Sequence, residues 1–215
     1  MAYKHGVYTS EVPTSVVPAV NTAAGLPVVF GTAPVHLASE RAQTNKPILC
    51  YSYAEAVQQL GYSKDWAKYT LCEVMYSQFA LYNRGPVVFV NVLDPKTHKK
   101  STSSKNVTVT NKVAKVDAPV LLDTLQIKAS TAGSALIAGS DYEAAYDDDG
   151  VLVITLLDDG TATAASNLTL TYDEIDAAAV DADDIIGGIN VSDGSVKGLE
   201  CLNKVFPITG LVPGI

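Results

Sequence analysis

A chain of 215 residues with 47% hydrophobic side chains and a formal net charge of −8 is long enough to bury a core and too apolar for a disordered tail. No apolar run approaches the ~20 residues that cross a bilayer, and "MAYKHGVYTSEVP" has no apolar stretch after its first charges to serve as a secretory leader. The sequence therefore reads as a soluble protein made inside the cell, without membrane insertion. Its charge is lopsided. Residues 1–100 carry nine basic and six acidic groups, residues 101–215 six and seventeen, and no Lys or Arg falls between Lys128 and Lys197. That half repels phosphate backbones, which argues against nucleic acid as a partner, and its plainest reading is a solvated acidic face. Cys50, Cys72 and Cys201 are isolated in apolar stretches, the pattern of buried reduced thiols, and with His5, His36 and His98 they form no metal-ligand spacing.

In chain order, residues 6–20, "GVYTSEVPTSVVPAV", come first. They have neither helical nor strand periodicity, and two prolines interrupt them. Ordering such a segment alone costs more backbone entropy than its side chains return on burial. Its β-branched composition suits an arm that orders on a sheet edge, with Val7, Tyr8, Val12, Val16, Val17 and Val20 as the contact residues. "LPVVFGTAP" (26–34) and "KPILCYS" (46–52) read as buried strands. Ser52 and Glu55 form the S-x-x-E pattern of a capping box before a short helix closed by Gly61. "DWAKYTLCEVMYSQFALYNRG" places Ala67, Leu71, Val74, Met75, Phe79 and Tyr82 at three- and four-residue steps, predicting one long helix, and "VVFVNVL" (87–93) follows as a strand buried on both faces.

From residue 96 the pattern changes. "KTHKKSTSSK" predicts a polar linker, and "NVTVTNKVAKV", "TLQIKA", "VLVITLL" and "NLTLTY" predict strands of a small antiparallel sandwich or barrel. "LLDDGTAT" reads as a hairpin turn. After Asp176, "AVDADDIIGGI" predicts a helix starting at Asp181 or Asp183. "VKGLECLNKVF" predicts another, with Val196, Leu199, Leu202 and Val205 or Phe206 on one face. The closing "PITGLVPGI" reads as an extended segment after which more polypeptide is expected. The fold class is α+β: an extended arm (1–25), the first part of an α/β layer (26–95), an inserted antiparallel β domain (96–180), and a return to the layer (181–215).

No catalytic motif emerges. The P-loop, dinucleotide, zinc-protease and nucleophile-elbow signatures are missing, so the chain is expected to be no enzyme and to need no cofactor or metal. "DYEAAYDDDG" (141–150) tempts a calcium reading. With Gly150 at the sixth position of an EF-hand loop, however, Ala145 and Leu156 occupy the first and twelfth, so an acidic turn is expected instead. The N-x-[ST] tripeptides at Asn106, Asn167 and Asn190 carry no weight without a secretory signal.

Taken in order, "GVYTSEVP", "GLPVVFGTAP", "PILCYSYAEAVQQLG", "NRGPVVFVNVLD" and "IIGGINVSDGSVKGLECLNKVFPITGLVPGI" resemble the N-terminal portion of contractile phage tail sheath proteins. The resemblance covers residues 1–94 and 183–215. It implies a structural subunit that polymerises with its own copies around an inner tail tube protein, meets baseplate and tail terminator proteins, and contracts to drive the tube through a bacterial envelope. It also implies assembly in the bacterial host cytoplasm into the virion tail. Phage tail and phage-like bacteriocin stay open, as does whether the chain is a fragment or a truncated relative. The alternative is a surface-exposed carbohydrate- or receptor-binding β module, which would require an aromatic groove within residues 106–172.

Overall fold

The computed structural model describes residues 25–130 and 133–214; the expected arm contacts at Val7 to Val20 lie outside them. A three-stranded sheet opens the fold, formed by β1 (Val28–Gly31), β2 (Ile48–Cys50) and β3 (Val87–Asn91). Its order is β1-β3-β2, with β3 parallel to β1 and antiparallel to β2. All five residues of β3 are buried because both faces of the sheet are covered. Val87 and Phe89 pack with Leu71, Met75 and Phe79 of the helical layer, whereas Val88 faces Leu26 and Val205 on the other side.

α1 (Tyr53–Leu60) forms where the sequence places it. The Ser52 hydroxyl accepts from the Glu55 amide at 3.3 Å, but the Glu55 carboxylate reaches back to the amide of Tyr51, not of Ser52. The long helix does not form as predicted. Residues 65–69 are a turn, α2 covers only Thr70–Met75, and a π-helical segment continues through Tyr76–Leu81. Thr32, at the end of β1, takes over the helix start. Its hydroxyl donates to Lys68 O at 2.6 Å and accepts from Thr70 N, and its carbonyl accepts from Leu71 N. Gly31 permits this approach, since a Cβ there would stand 2.3 Å from Thr70 Oγ1. Tyr82, predicted on the inner face, is exposed beyond the π segment.

The segment predicted as a polar linker is mostly strand. β4 spans Lys99–Thr108 and pairs antiparallel with β9 (Asn167–Ile175), with a register shift between Thr102 and Lys105. β9 carries β6 (Gln126–Lys128) on its other edge. A second sheet has the order β5-β8-β7, built from β5 (Val113–Val116), β8 (Leu152–Leu156) and β7 (Tyr142–Tyr146). One apolar cluster joins the two sheets, with Ile127, Leu168, Leu170 and Tyr172 from the first against Val116, Leu152 and Ile154 from the second. Part of the acidic stretch read as a turn is therefore strand β7, and the turn itself is Asp147–Gly150, where the Asp147 carboxylate accepts from the amides of Asp149 and Val151. "LLDDGTAT" is not a two-residue hairpin, because β8 and β9 lie in different sheets.

α3 (Ala182–Ile186) starts at Asp181 with a full capping box to Asp184. β10 (Gly188–Ile189) and β11 (Val196–Lys197) form a short antiparallel pair, followed by a 3-10 segment, Gly198–Lys204, and α4 (Val205–Thr209). The predicted apolar face is kept only at Val205. Gly198, Cys201 and Val205 turn inward, whereas Leu199, Leu202 and Phe206 are exposed. The Cys201 thiol donates to Asn45 O at 3.1 Å, which fixes the inward side, and the tighter 3-10 winding moves the neighbouring leucines out.

Candidate functional site

A cleft of about 920 Å3 lies between the helical layer and the β-rich region. One wall comes from α1 and the turn before α2, through Tyr53, Tyr62 and Tyr69; the other comes from the β7–β8 turn and the end of β9. Its lining holds seven carboxylates and two lysines, Lys64 and Lys68. Three of the acids are in ion pairs: Asp65 with Lys68, Asp176 with Lys100, and Asp147 with Lys115 at 3.7 Å. The hydrogen bond from the Lys100 ammonium holds the Asp176 carboxyl below the usual carboxylate range. Asp117, Asp148, Asp149 and Glu174 have no ion-pair partner among the described residues.

His36 lines this cleft with 9% of its surface exposed. Its ring lies 6.0 Å from that of Tyr69 and 5.3 Å, edge-on, from that of Tyr146. The Nδ1 atom is buried without a hydrogen-bond partner. Burial first, and the Arg41 guanidinium second, push the imidazole down to about 4, so it is neutral near pH 7. Burial likewise raises the Tyr69 phenol to about 12, and the Tyr146 hydroxyl, also pushed up by burial, donates to Val120 O at 2.6 Å. The cleft thus combines a neutral aromatic floor with a negative rim. It holds no pairing of nucleophile and base.

Two polar junctions fasten the C-terminal segment to the first layer. His98 accepts the Asp94 amide on Nδ1 at 3.0 Å and places Nε2 3.1 Å from Asp184 Oδ2, an oxygen that also accepts the Asp181 amide. Asn45 is the second. Its side-chain oxygen accepts from Gly198 N at 2.9 Å and its carbonyl accepts the Cys201 thiol, so Lys46 and Lys197, both exposed, lie one residue to either side of that contact. Neither lysine has an ion-pair partner among the described residues.

The sheet edges matter as much as the cleft. β1 is an edge strand, and it begins beside a parallel bridge from Leu26 to Pro213, with Gly214 N donating to Leu26 O at 3.0 Å. Near that edge the segment 186–212 exposes Ile186, Ile189, Val191, Leu199, Phe206 and Val212. Within the acidic stretch at 141–150, Asp141 is engaged in structure, accepting from Ile137 N, Thr161 N and the Thr161 hydroxyl. Among the described residues no group of three His, Cys, Asp or Glu side chains is placed to hold a metal ion, and no helix is long and apolar enough to cross a membrane. The three cysteines are free and buried, with the Cys50 thiol pushed up to about 12 and Cys72 to about 11 by burial. Within residues 106–172, Tyr142 and Tyr172 are buried, and Tyr146, half-buried, lines the cleft shared with the helical layer.

Sequence patterning could not find the cleft, because its acids come from four separated stretches and His36 has no motif around it. The charge asymmetry was the only signal of it.

Comparison with known proteins gives one informative match. The chain is similar to the tail sheath protein of Burkholderia phage BcepMu, with 30% identity over 214 residues, which is 97% of this chain and 41% of that protein. The chain thus spans about two fifths of that relative's length. No family model and no solved structure matches.

Proposed function

We propose that this chain is a structural subunit of a contractile phage tail sheath. The observation that carries the reading is the similarity to a phage tail sheath protein along 97% of the chain. In this reading many copies stack around an inner tail tube, engage baseplate and tail terminator proteins at the two ends, and shorten and widen to push the tube through a bacterial envelope. The work comes from a change in subunit packing, not from nucleotide hydrolysis. Assembly takes place in the host cytoplasm, and the finished sheath belongs to the virion tail. The antiparallel β region between about residues 96 and 180 is an inserted domain. Residues 6–20 join neighbouring subunits by adding to a sheet edge. The edge position of β1, already met in parallel by Pro213, supports such a contact.

The test is electron microscopy of the protein expressed as its whole reading frame with the tube protein encoded beside it. Hollow striated cylinders are expected, with a second, shorter and wider form after triggering. Dispersed particles under every assembly condition would overturn the reading.

A further inference from the structure

The outer edge of β1 is open over a bounded stretch. Parallel pairing turns alternate residues toward β3: Val88 N donates to Pro27 O and Val92 N to Gly31 O, both at 2.9 Å, and Ala33 N donates to Asn91 Oδ1. The residues between them therefore present their N–H and C=O groups to the other side. At the two ends these groups are taken. Leu26 O accepts from Gly214 N at 3.0 Å beside the parallel bridge to Pro213. At the far end Thr32 N donates to Thr70 Oγ1 at 3.2 Å, and Thr32 O accepts from Leu71 N at 3.1 Å. Val28 and Phe30 lie between, and neither has a backbone partner on this side among the described residues. Their N–H and C=O groups leave room for a strand of about three to five residues.

An open edge is a template for another strand unless charge or irregularity guards it. β4, a long edge strand, is guarded: it carries Lys99, Lys100 and Lys105, Ser104 has φ 55°, and its register shifts between Thr102 and Lys105. β1 has no such guard. Val28–Gly31 contains no charge and no proline, and Val28 packs on the side of Leu26 and Val205. α4, which packs on that side through Val205, leaves Phe206 and Ile208 exposed, with Val212 exposed beyond it. A strand laid along β1 would thus gain ladder hydrogen bonds beside an apolar surface.

Residues 6–12, "GVYTSEV", form a proline-free run that ends at Pro13, with Val7, Tyr8, Thr9 and Val12 as strand formers. We propose that this run of one copy adds as a strand to the outer edge of β1 in a neighbouring copy, pairing with Val28 and Phe30. This rests on the reading that residues 6–20 join neighbouring subunits at a sheet edge. The direction of β1 favours a neighbour over the arm's own subunit. Residues 1–24 join the described chain just before Leu26, at the end that Pro213 and Gly214 already close, and β1 then runs away from that point. Fully extended, a segment of that length reaches about 80 Å, enough to cross to another copy.

The test is amide hydrogen exchange, read residue by residue by NMR on the complete 215-residue chain, with a synthetic peptide of residues 6–20 as probe. In dilute solution the amides of Val28 and Phe30 should exchange fast, while those of Val29 and Gly31, held by β3, stay protected. Excess peptide, or a rise in protein concentration, should slow Val28 and Phe30 at least about tenfold and leave Val29 and Gly31 unchanged. A peptide carrying Thr9→Pro and Ser10→Pro, which loses one amide from each side of the run, should protect neither. Protection of Val28 and Phe30 at every dilution would seat the arm on its own subunit and overturn the proposal. So would a peptide that protects neither amide, or that protects another strand edge instead. If deleting residues 1–20 from the whole reading frame then still abolishes cylinders, the arm reading survives and only this seat is lost. Protection of β1 by the peptide, with no cylinders from the wild-type reading frame, would remove only the sheath reading.

Discussion

Asn91 closes β3 with 2% of its surface exposed and uses its whole amide. Its Oδ1 accepts from Ala33 N and Leu93 N, both at 3.1 Å, and its Nδ2 donates to Leu93 O at 2.9 Å. Asn91→Leu keeps the branched shape and orphans three buried backbone groups, so unfolding in urea should show a loss of about 3 kcal/mol. His36 makes a different prediction, because its folded pKa of about 4 lies below the ordinary value. The unfolded chain takes up the proton first, so the stability held by the neutral ring is fully present above the unfolded pKa of about 6.5 and is lost as pH falls toward 4. His36→Phe keeps the ring between Tyr69 and Tyr146 and removes the titration. Between pH 7 and pH 4.5 the wild type should lose about 2 kcal/mol more than this variant in urea melts, and parallel curves would refute the buried neutral state. At this scale the sequence shows only residue types. Asn91 looked like a blemish in an apolar run, and the three isolated cysteines were legible because an apolar setting predicts burial without a partner.

Elements were legible where local chemistry decides and illegible where a distant group competes. The Ser52 cap and Gly61 stop fixed α1, since both act within one turn. The following segment has an equally good helical stripe, but Thr32, 38 residues away, binds the amide of Thr70 and delays the helix to that point. In the same way β4 hides in "KKSTSSK", whose exposed side chains have no apolar alternation. It is strand because β9 supplies its ladder, with Lys99 and Lys100 tied to Asp173 and Asp176 across the pairing. These pairings bear on the proposal that the β-rich region is an inserted domain. The two sheets share one cluster of twelve buried residues, while Leu121 and Ile175 of this region are buried in the cluster of the first layer and Ala177 and Val180 pack against it. Residues 97–180 expressed alone should therefore give a β-type circular dichroism spectrum and a cooperative urea transition, at a lower midpoint than the parent chain because those side chains lose their cover. A random-coil spectrum would mean that the β region cannot fold without the helical layer.

At the scale of the whole molecule, the described residues form a core that starts at Leu26, which is buried against Val88 and Val205, and β1 follows at Val28. Residues 1–20 lie outside the described residues. Their composition still favours a sheet edge: Val7, Tyr8, Val12, Val16, Val17 and Val20 are β-formers, and Pro13 and Pro18 interrupt self-pairing. In the proposed reading the arm orders by adding ladder hydrogen bonds and apolar contacts to a neighbouring subunit. In that reading, deleting residues 1–20 should leave the unfolding free energy of the monomer, taken from urea melts, within about 0.5 kcal/mol of wild type, the usual range for changes away from the core. The same deletion should abolish striated cylinders in micrographs of the whole protein. Val7→Pro or Val16→Pro should act in the same direction and more weakly, because each removes one amide from the intermolecular ladder and leaves the rest of the arm in place. A deletion that unfolds the monomer would place the arm in its own core. Cylinders of normal length that still contract would show that the subunits are joined elsewhere.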